Sequence, residues 1–243
     1  MPELWVVSLG RTPYGEALEL QRSLARDRIS GAIPEDILLL VEHPPVVTLG
    51  RSAKGAARNL MVTSDYLASR GVELFEVERG GDVTFHGPGQ LVGYPIIDLK
   101  RHRQDLHWYL RQVEEGLIRT LASYSIAAER NPGLTGVWTD GRKIASIGVH
   151  VRDWVTWHGF ALNVTTDLSY FELIIPCGIE GVTMTSIAQE VARDDPLALM
   201  DFPPVPLTVD AVGATAAGSF AELFELDPVV VDRGALAEVA PAK

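Results

Sequence analysis

The chain has one cysteine, Cys177, placed between a proline and a glycine in Ile174-Ile175-Pro176-Cys177-Gly178-Ile179. A lone cysteine is ordinarily a small buried hydrophobe. Here Pro176 stiffens the backbone on one side and Gly178 frees it on the other, a bend suited to presenting a side chain into a cleft. Nucleophilic work requires the thiolate, and a free cysteine is only about 3% ionised at pH 7. A neighbouring cation or a basic imidazole must supply the rest. Lys143 and His86 are the candidates, although a lysine just after the Asp140-Gly141 turn is by default an exposed hairpin residue. His86 lies in the most unusual stretch of the chain, Arg79-Gly80-Gly81-Asp82-Val83-Thr84-Phe85-His86-Gly87-Pro88-Gly89-Gln90. Five of its twelve residues are glycine or proline. It reads either as an elaborate β-turn or as a pocket wall in which backbone closely approaches a ligand.

These residues need a scaffold, and the apolar pattern supplies one. Residues 4–9 read as a strand, and 15–30 as an amphipathic helix with Ala17, Leu20 and Leu24 on one face. Residues 37–43 and 46–49 are apolar strands separated by Pro44-Pro45. Ser64 is expected to cap a short helix ending near Gly71. Residues 105–126 are the clearest helix, capped by Asp105, with a buried stripe of Leu110, Val113, Leu117 and Leu121. Asp140-Gly141 between two strands predicts a type I′ hairpin. Arg152-Asp153 turns into a third strand, 155–164. Thr185 or Ser186 caps a helix through Val191. Residues 194–206 carry four prolines and read as a linker. A last helix spans 209–224, weakened by Gly213 and Gly218, and the final fifteen or so residues look frayed. Strands cluster and helices fall between the clusters, so the fold class is α+β, a mixed sheet flanked by helices. The expected organisation is a catalytic domain over 1–195, with a linker and a C-terminal helix over 196–243 packed on the same domain.

The bulk numbers narrow the function. The 243 residues are 47% hydrophobic and 22% charged, with a net charge of −11. That balance suits a globular protein and argues against broad nucleic-acid binding, which needs a cationic surface. No apolar run approaches the ~18 residues of a membrane span, and the N-terminal residues lack the pattern of a signal peptide. One cysteine allows no internal disulfide. A cytoplasmic location is expected.

Four segments taken together resemble the lipoyl(octanoyl) transferase family of lipoate biosynthesis. They are Arg79 to Gln90; Arg142-Lys143-Ile144-Ala145-Ser146-Ile147-Gly148; His158-Gly159-Phe160-Ala161-Leu162-Asn163; and Phe171 through Ile179. Their order and spacing match over about residues 35–190. The resemblance implies the fold of the biotin/lipoate protein ligase superfamily. It also implies transfer of an octanoyl group from octanoyl-acyl carrier protein to a lysine of the lipoyl domains in 2-oxoacid dehydrogenase and glycine cleavage complexes. The family's nucleophile falls on Cys177 and its paired lysine on Lys143. Its acyl-pocket positions fall on Arg79, Gly80, Gly81, Asp82, Val83, Thr84, Phe85 and His86, on Ser146, Ile147 and Gly148, and on Gly159, Phe160 and Ala161. No cofactor and no metal is implied.

Such a reaction is chemically reasonable for these residues. Thioester exchange onto Cys177 is nearly isoenergetic and needs no ATP, and an ammonium at Lys143 favours the thiolate. The acceptor lysine, with a pKa of ~10.4, is about 0.04% neutral at pH 7. Its proton must go somewhere, and Lys143 is a candidate base. Backbone N–H groups near Cys177 or the glycine loop can hold the oxyanion. His86 either positions substrate or holds the loop, Arg79 orients the loop, and His158 and Asn163 are expected supports. Phe85, Val149 and Phe160 are candidate walls for the octanoyl chain, whose burial contributes on the order of 5 kcal/mol. Lys100-Arg101-His102-Arg103, or Arg51 with Lys54 and Arg58, are candidate docking patches for an acidic carrier. Competing readings are an ATP-dependent lipoate or biotin protein ligase, a non-catalytic acyl-binding module and a thioesterase.

Overall fold

A computed structural model describes residues 1–53, 59–179, 181–194 and 207–239. In chain order the elements are β1 (Glu3–Arg11), α1 (Tyr14–Ser30), β2 (Asp36–Glu42), β3 (Val46–Leu49), α2 (Ser64–Ser69), β4 (Glu73–Glu76), β5 (Val83–His86) and β6 (Gln90–Ile96). Then come α3 (Leu106–Ala122), β7 (Val137–Thr139), β8 (Arg142–Arg152), β9 (Val155–Asn163), α4 (Ile187–Asp194), α5 (Val209–Phe224), β10 (Asp227–Val230) and α6 (Arg233–Val239).

Seven strands form a mixed sheet in the order β10-β1-β2-β6-β9-β8-β7, and three form a second sheet, β4-β3-β5. Pro44-Pro45 does more than interrupt a strand: it sends β2 into the large sheet and β3 into the small one. β1 runs parallel to both β2 and β10, while β6, β8 and β9 are antiparallel to their neighbours. On one face of the large sheet, Val113, Leu117 and Leu121 of α3 pack with Val212, Ala216 and Phe220 of α5. On the other, Ala17, Leu24 and Ala25 of α1 cover Val7, Ile37, Leu39 and Ile96. The small sheet has its own core of Val47, Leu67, Val83, Phe85 and Phe171. Tyr14 and Leu18 of α1 meet Val46 and Val77 and join the two cores.

Local chemistry accounts for the boundaries. The Asp140-Gly141 turn has both φ values positive, 46° and 75°, as a type I′ hairpin requires. The β8–β9 turn differs from expectation: its positive φ values fall on Asp153 and Trp154, 50° and 65°. No glycine marks this pair, so the local signal that flagged Asp140-Gly141 is missing here. The cap of α2 is Thr63, whose side chain accepts from the Tyr66 amide, so Ser64 is the first helical residue instead. Asp105 does cap α3, accepting from the Trp108 amide, but the helix stops at Ala122 and Leu110 is only half-buried. Ser186 Oγ accepts from the Gln189 amide at the start of α4. Of the stretch expected to fray, the described part is structured: β10 pairs with β1 in parallel, and Leu236 of α6 is buried in the α1-side core, while residues 240–243 lie outside the described residues. Of the expected linker, residues 195–206 lie outside the described residues.

Three strands meet at glycines. A Cβ on Gly159 would stand 2.2 Å from the Gly93 carbonyl oxygen, and one on Gly93 would stand 2.2 Å from the Phe160 ring. Backbone cannot yield as a flexible side chain can, so Gly159→Ala should cost about 3 kcal/mol or more of stability. A denaturant midpoint unchanged in that variant would contradict this packing.

Candidate functional site

A slot of about 40 Å³ opens between the two sheets and the start of α1. Its walls come from four places. Arg79, Gly81 and Asp82 contribute the rim, and Thr84 and His86 come from β5. Ser146, Ile147 and Gly148 come from β8, and His158, Gly159, Phe160 and Ala161 from β9. The fourth contribution, Tyr14 from α1 with Val92 and Tyr94 from β6, was not foreseen from sequence. The i, i+2 alternation of Val92 and Tyr94 in an apolar strand was the available signal.

The rim is fastened rather than floppy. The Arg79 guanidinium is buried and donates to the Thr48 carbonyl at 2.8 Å and to Thr48 Oγ1 at 2.9 Å. The Gly80 amide donates to the Val149 carbonyl at 2.8 Å. The Gly50 and Ser52 amides donate to the Asp82 and Gly81 carbonyls. Gly81 has φ 81°, a conformation that strains other residues. These bonds tie the loop to β3 through Arg79.

Three expected pocket residues lie elsewhere. Val83 and Phe85 point into the small-sheet core, where Phe85 stacks on Tyr170 at 4.7 Å; strand alternation turns them away from Thr84 and His86. Gly80 ties the rim to β8 instead of lining the slot. Val149 likewise belongs to the α3–α5 core, so of the three candidate walls only Phe160 reaches the slot.

The imidazoles have assigned roles. The Gln90 amide nitrogen donates to Asn163 Oδ1 at 2.9 Å, leaving Gln90 Oε1 to accept from His86 Nδ1 at 2.8 Å. His86 therefore carries its proton on Nδ1. Asn163 Nδ2 donates to the Thr185 carbonyl at 2.9 Å, so Asn163 is a support, as expected. His43 Nδ1 donates to the Thr12 carbonyl, and its Nε2 accepts from the Tyr94 hydroxyl, both at 2.7 Å. Burial pushes His43 down to about 4 and His86 down to about 3, and it pushes Tyr14 up to about 12. At neutral pH these groups are uncharged, and His86 and Tyr14 enter the lining of the slot as neutral side chains. His158 does more than the support role expected of it. It lines the slot, holds φ 55° within β9, and has its Nε2 3.8 Å from Glu78 Oε1. Ser146 Oγ, Thr84 Oγ1 and His158 Nε2 are buried without hydrogen-bond partners, which marks the slot as built to meet polar groups of a ligand or water.

The two histidines predict an acid sensitivity. Each binds a proton in the unfolded chain near pH 6.5 but resists it in the fold. Their contribution is therefore complete above pH 6.5 and is lost as pH falls toward 4 and 3. Unfolding free energy should drop by a few kcal/mol between pH 6.5 and 4.5, measured by urea titration at each pH. A flat profile over that range would contradict the buried neutral imidazoles.

Lys143 is not an exposed hairpin lysine. It is fully buried on β8, three residues before Ser146. Its Nζ donates to the Thr135 carbonyl at 3.3 Å and lies 4.8 Å from the centre of the Trp138 ring. Its backbone is bonded on both sides of the Thr183–Thr185 segment that follows the cysteine turn. Cys177 is the middle residue of a single 3₁₀ turn, Pro176–Gly178. That turn sits at the rim: a Cβ on Gly178 would stand 3.3 Å from Asp82 Oδ2.

Among the basic clusters, Lys54 and Arg58 lie outside the described residues. Lys100, His102 and Arg103 each face an acid, namely Asp98, Asp36 and Asp105.

Two sheets flanked by helices, with a narrow slot between them, define a class that comparison with known proteins identifies. The lipoyl protein ligase A/B catalytic domain matches residues 13–202, and the chain belongs to that family. It is 57% identical over 190 residues to the octanoyltransferase of Rubrobacter xylanophilus, covering 78% of this chain and 84% of that one. It is 48% identical over 232 residues to the octanoyltransferase of Acidobacterium capsulatum, covering 90% and 89%. Among solved structures, a lipoate-protein ligase A bound with ATP superposes with a TM-score of 0.71 at 19% identity, over 95% of this chain and 89% of that one. At that identity the likeness concerns the fold, which is the expected biotin/lipoate ligase type.

Proposed function

We propose that this protein is an octanoyltransferase, carrying an octanoyl group from octanoyl-acyl carrier protein to a lysine of lipoyl domains through a thioester on Cys177. The acceptors are the lipoyl domains of 2-oxoacid dehydrogenase and glycine cleavage complexes, and the reaction belongs to the cytoplasm. Among the described residues no helix is long and apolar enough to cross a membrane.

One observation carries the reading beyond the family. The strand that holds Lys143 continues directly into Ser146–Gly148, the wall of the slot, while the turn that holds Cys177 lies against Asp82 at its rim. In the first step the Cys177 thiolate attacks the acyl carbonyl, the new thioester forms and the carrier's thiolate leaves, taking the proton of the Lys143 ammonium. In the second the acceptor amine attacks, the amide forms and the Cys177 thiolate is released. Lys143 favours the thiolate while it holds its proton, and it takes the acceptor's proton when it does not. The slot receives the acyl chain. At about 40 Å³ it is far below the ~300–1,000 Å³ of ligand clefts, so side chains such as Phe160 and Tyr14 must swing aside as the chain enters.

The test is transfer without nucleotide. Purified protein mixed with octanoyl-acyl carrier protein and a lipoyl domain should add one octanoyl group to the lipoyl domain. Transfer that required free octanoic acid and ATP would make the protein a ligase instead.

A further inference from the structure

Lys143 reaches the Thr135 carbonyl, and the same peptide group is gripped from its other end. The Gly136 amide, which shares a peptide bond with that carbonyl, donates to Glu114 Oε1 at 3.2 Å. Glu114 lies on α3 with its carboxylate fully buried. Its other oxygen pairs with Arg111 and, at 3.2 Å, with Arg130 Nε. A buried carboxylate in a catalytic neighbourhood that touches neither slot nor rim needs a reason. We infer that Glu114 is a positioning residue for Lys143, acting through the Thr135–Gly136 peptide. This rests on the proposed role of Lys143.

The physical link is polarisation. A carboxylate bound to the N–H side of a peptide makes its carbonyl a stronger acceptor. The carbonyl in turn aims the ammonium, and a stronger acceptor holds it more firmly. The geometry leaves little slack. Gly136 has φ 135°, and a Cβ there would stand 2.9 Å from Lys143 Cε and 2.7 Å from the Ala145 carbonyl. Only glycine brings this peptide so close to the lysine. Arg111 and Arg130 face Glu114, Arg130 also binds Glu115, and Arg142, next to Lys143 in β8, is taken by Glu190 and Asp140.

The experiment measures single-turnover acylation of Cys177 by octanoyl-acyl carrier protein as a function of pH. Glu114→Gln keeps the size and an acceptor oxygen but removes the charge. It should slow acylation about tenfold and move the alkaline limb of the profile to lower pH by on the order of half a unit. Arg130→Gln removes a cation from Glu114 and should move that limb the other way. Arg130 is half exposed, so this variant provides the test even where Glu114→Gln folds poorly. In a Lys143→Ala background, Glu114→Gln should slow acylation no further. Profiles unmoved in both single variants, or a full additional loss in the double variant, would reduce Glu114 to a structural ion pair. If Lys143→Ala itself acylates normally, the role of Lys143 falls first, and the relay with it.

Discussion

Cys177→Ser is expected to show no gain of octanoyl mass after mixing with octanoyl-acyl carrier protein, where the unaltered protein gains one group. A serine hydroxyl is far less acidic than a thiol, so an ammonium that suffices to hold a thiolate leaves it protonated. Loss of a nucleophile in a concerted site costs on the order of 10⁴-fold or more in turnover. The substitution is nearly isosteric, and the turn is closed by backbone hydrogen bonds that it leaves in place, Gly178 N–H to the Ile175 carbonyl and Ile179 N–H to the Pro176 carbonyl. The fold should therefore survive, and a thermal melt on the same sample checks it. A serine variant that transfers octanoyl groups to lipoyl domains at normal rates would end the covalent reading. It would leave direct attack by the acceptor amine on the carrier thioester.

Lys143→Ala carries the second large effect. Acylation should slow by about 10²–10³-fold, the usual range for removing a positioned acid–base group. Its pH profile should move upward, because the thiol then ionises without a cation to support the thiolate. Transfer to the lipoyl amine should slow as well, since the acceptor's proton loses its recipient. Lys143 is buried against Trp138, so alanine leaves a cavity beside the indole and part of the loss in stability comes from packing. The pH profile separates the two causes, since a cavity alone does not displace it. An unshifted profile would assign activation of the thiol to another group, and His86 would be the next to examine.

Much of this architecture was legible in the residues. The period of 3.6 over α1, α3 and α5, the Asp-Gly turn before β8 and the Asp105 cap are local signals, and each has its element. The partition into two sheets was not legible. Pro44-Pro45 announces a break, but which sheet accepts β3 depends on pairing with β5, some forty residues away. The β8–β9 turn escaped for the opposite reason, since Asp153-Trp154 holds positive φ without glycine. At the slot, the Arg79–His86, β8 and β9 segments came from the joint pattern of four motifs, and the structure brings residues of all three together. Tyr14, His43 and Tyr94 were missed because they belong to none of them. His43 meets Thr12 and Tyr94 from 31 and 51 residues away along the chain, and sequence spacing says nothing about such meetings. Phe85 was misjudged through alternation: its neighbours Thr84 and His86 face the slot, and a strand cannot send adjacent side chains the same way.

All nine residues of β9 are buried, and the strand lies between β6 and β8 inside the large sheet. Its amides should therefore be among the last in the molecule to swap hydrogen for deuterium, exchanging only when the whole domain opens. Loading the cysteine with an acyl group then has little local protection left to add along that strand. Any slowing of isotope uptake on acylation should appear instead in the Gly80–Asp82 rim, which makes the rim the place to watch for occupancy of the slot.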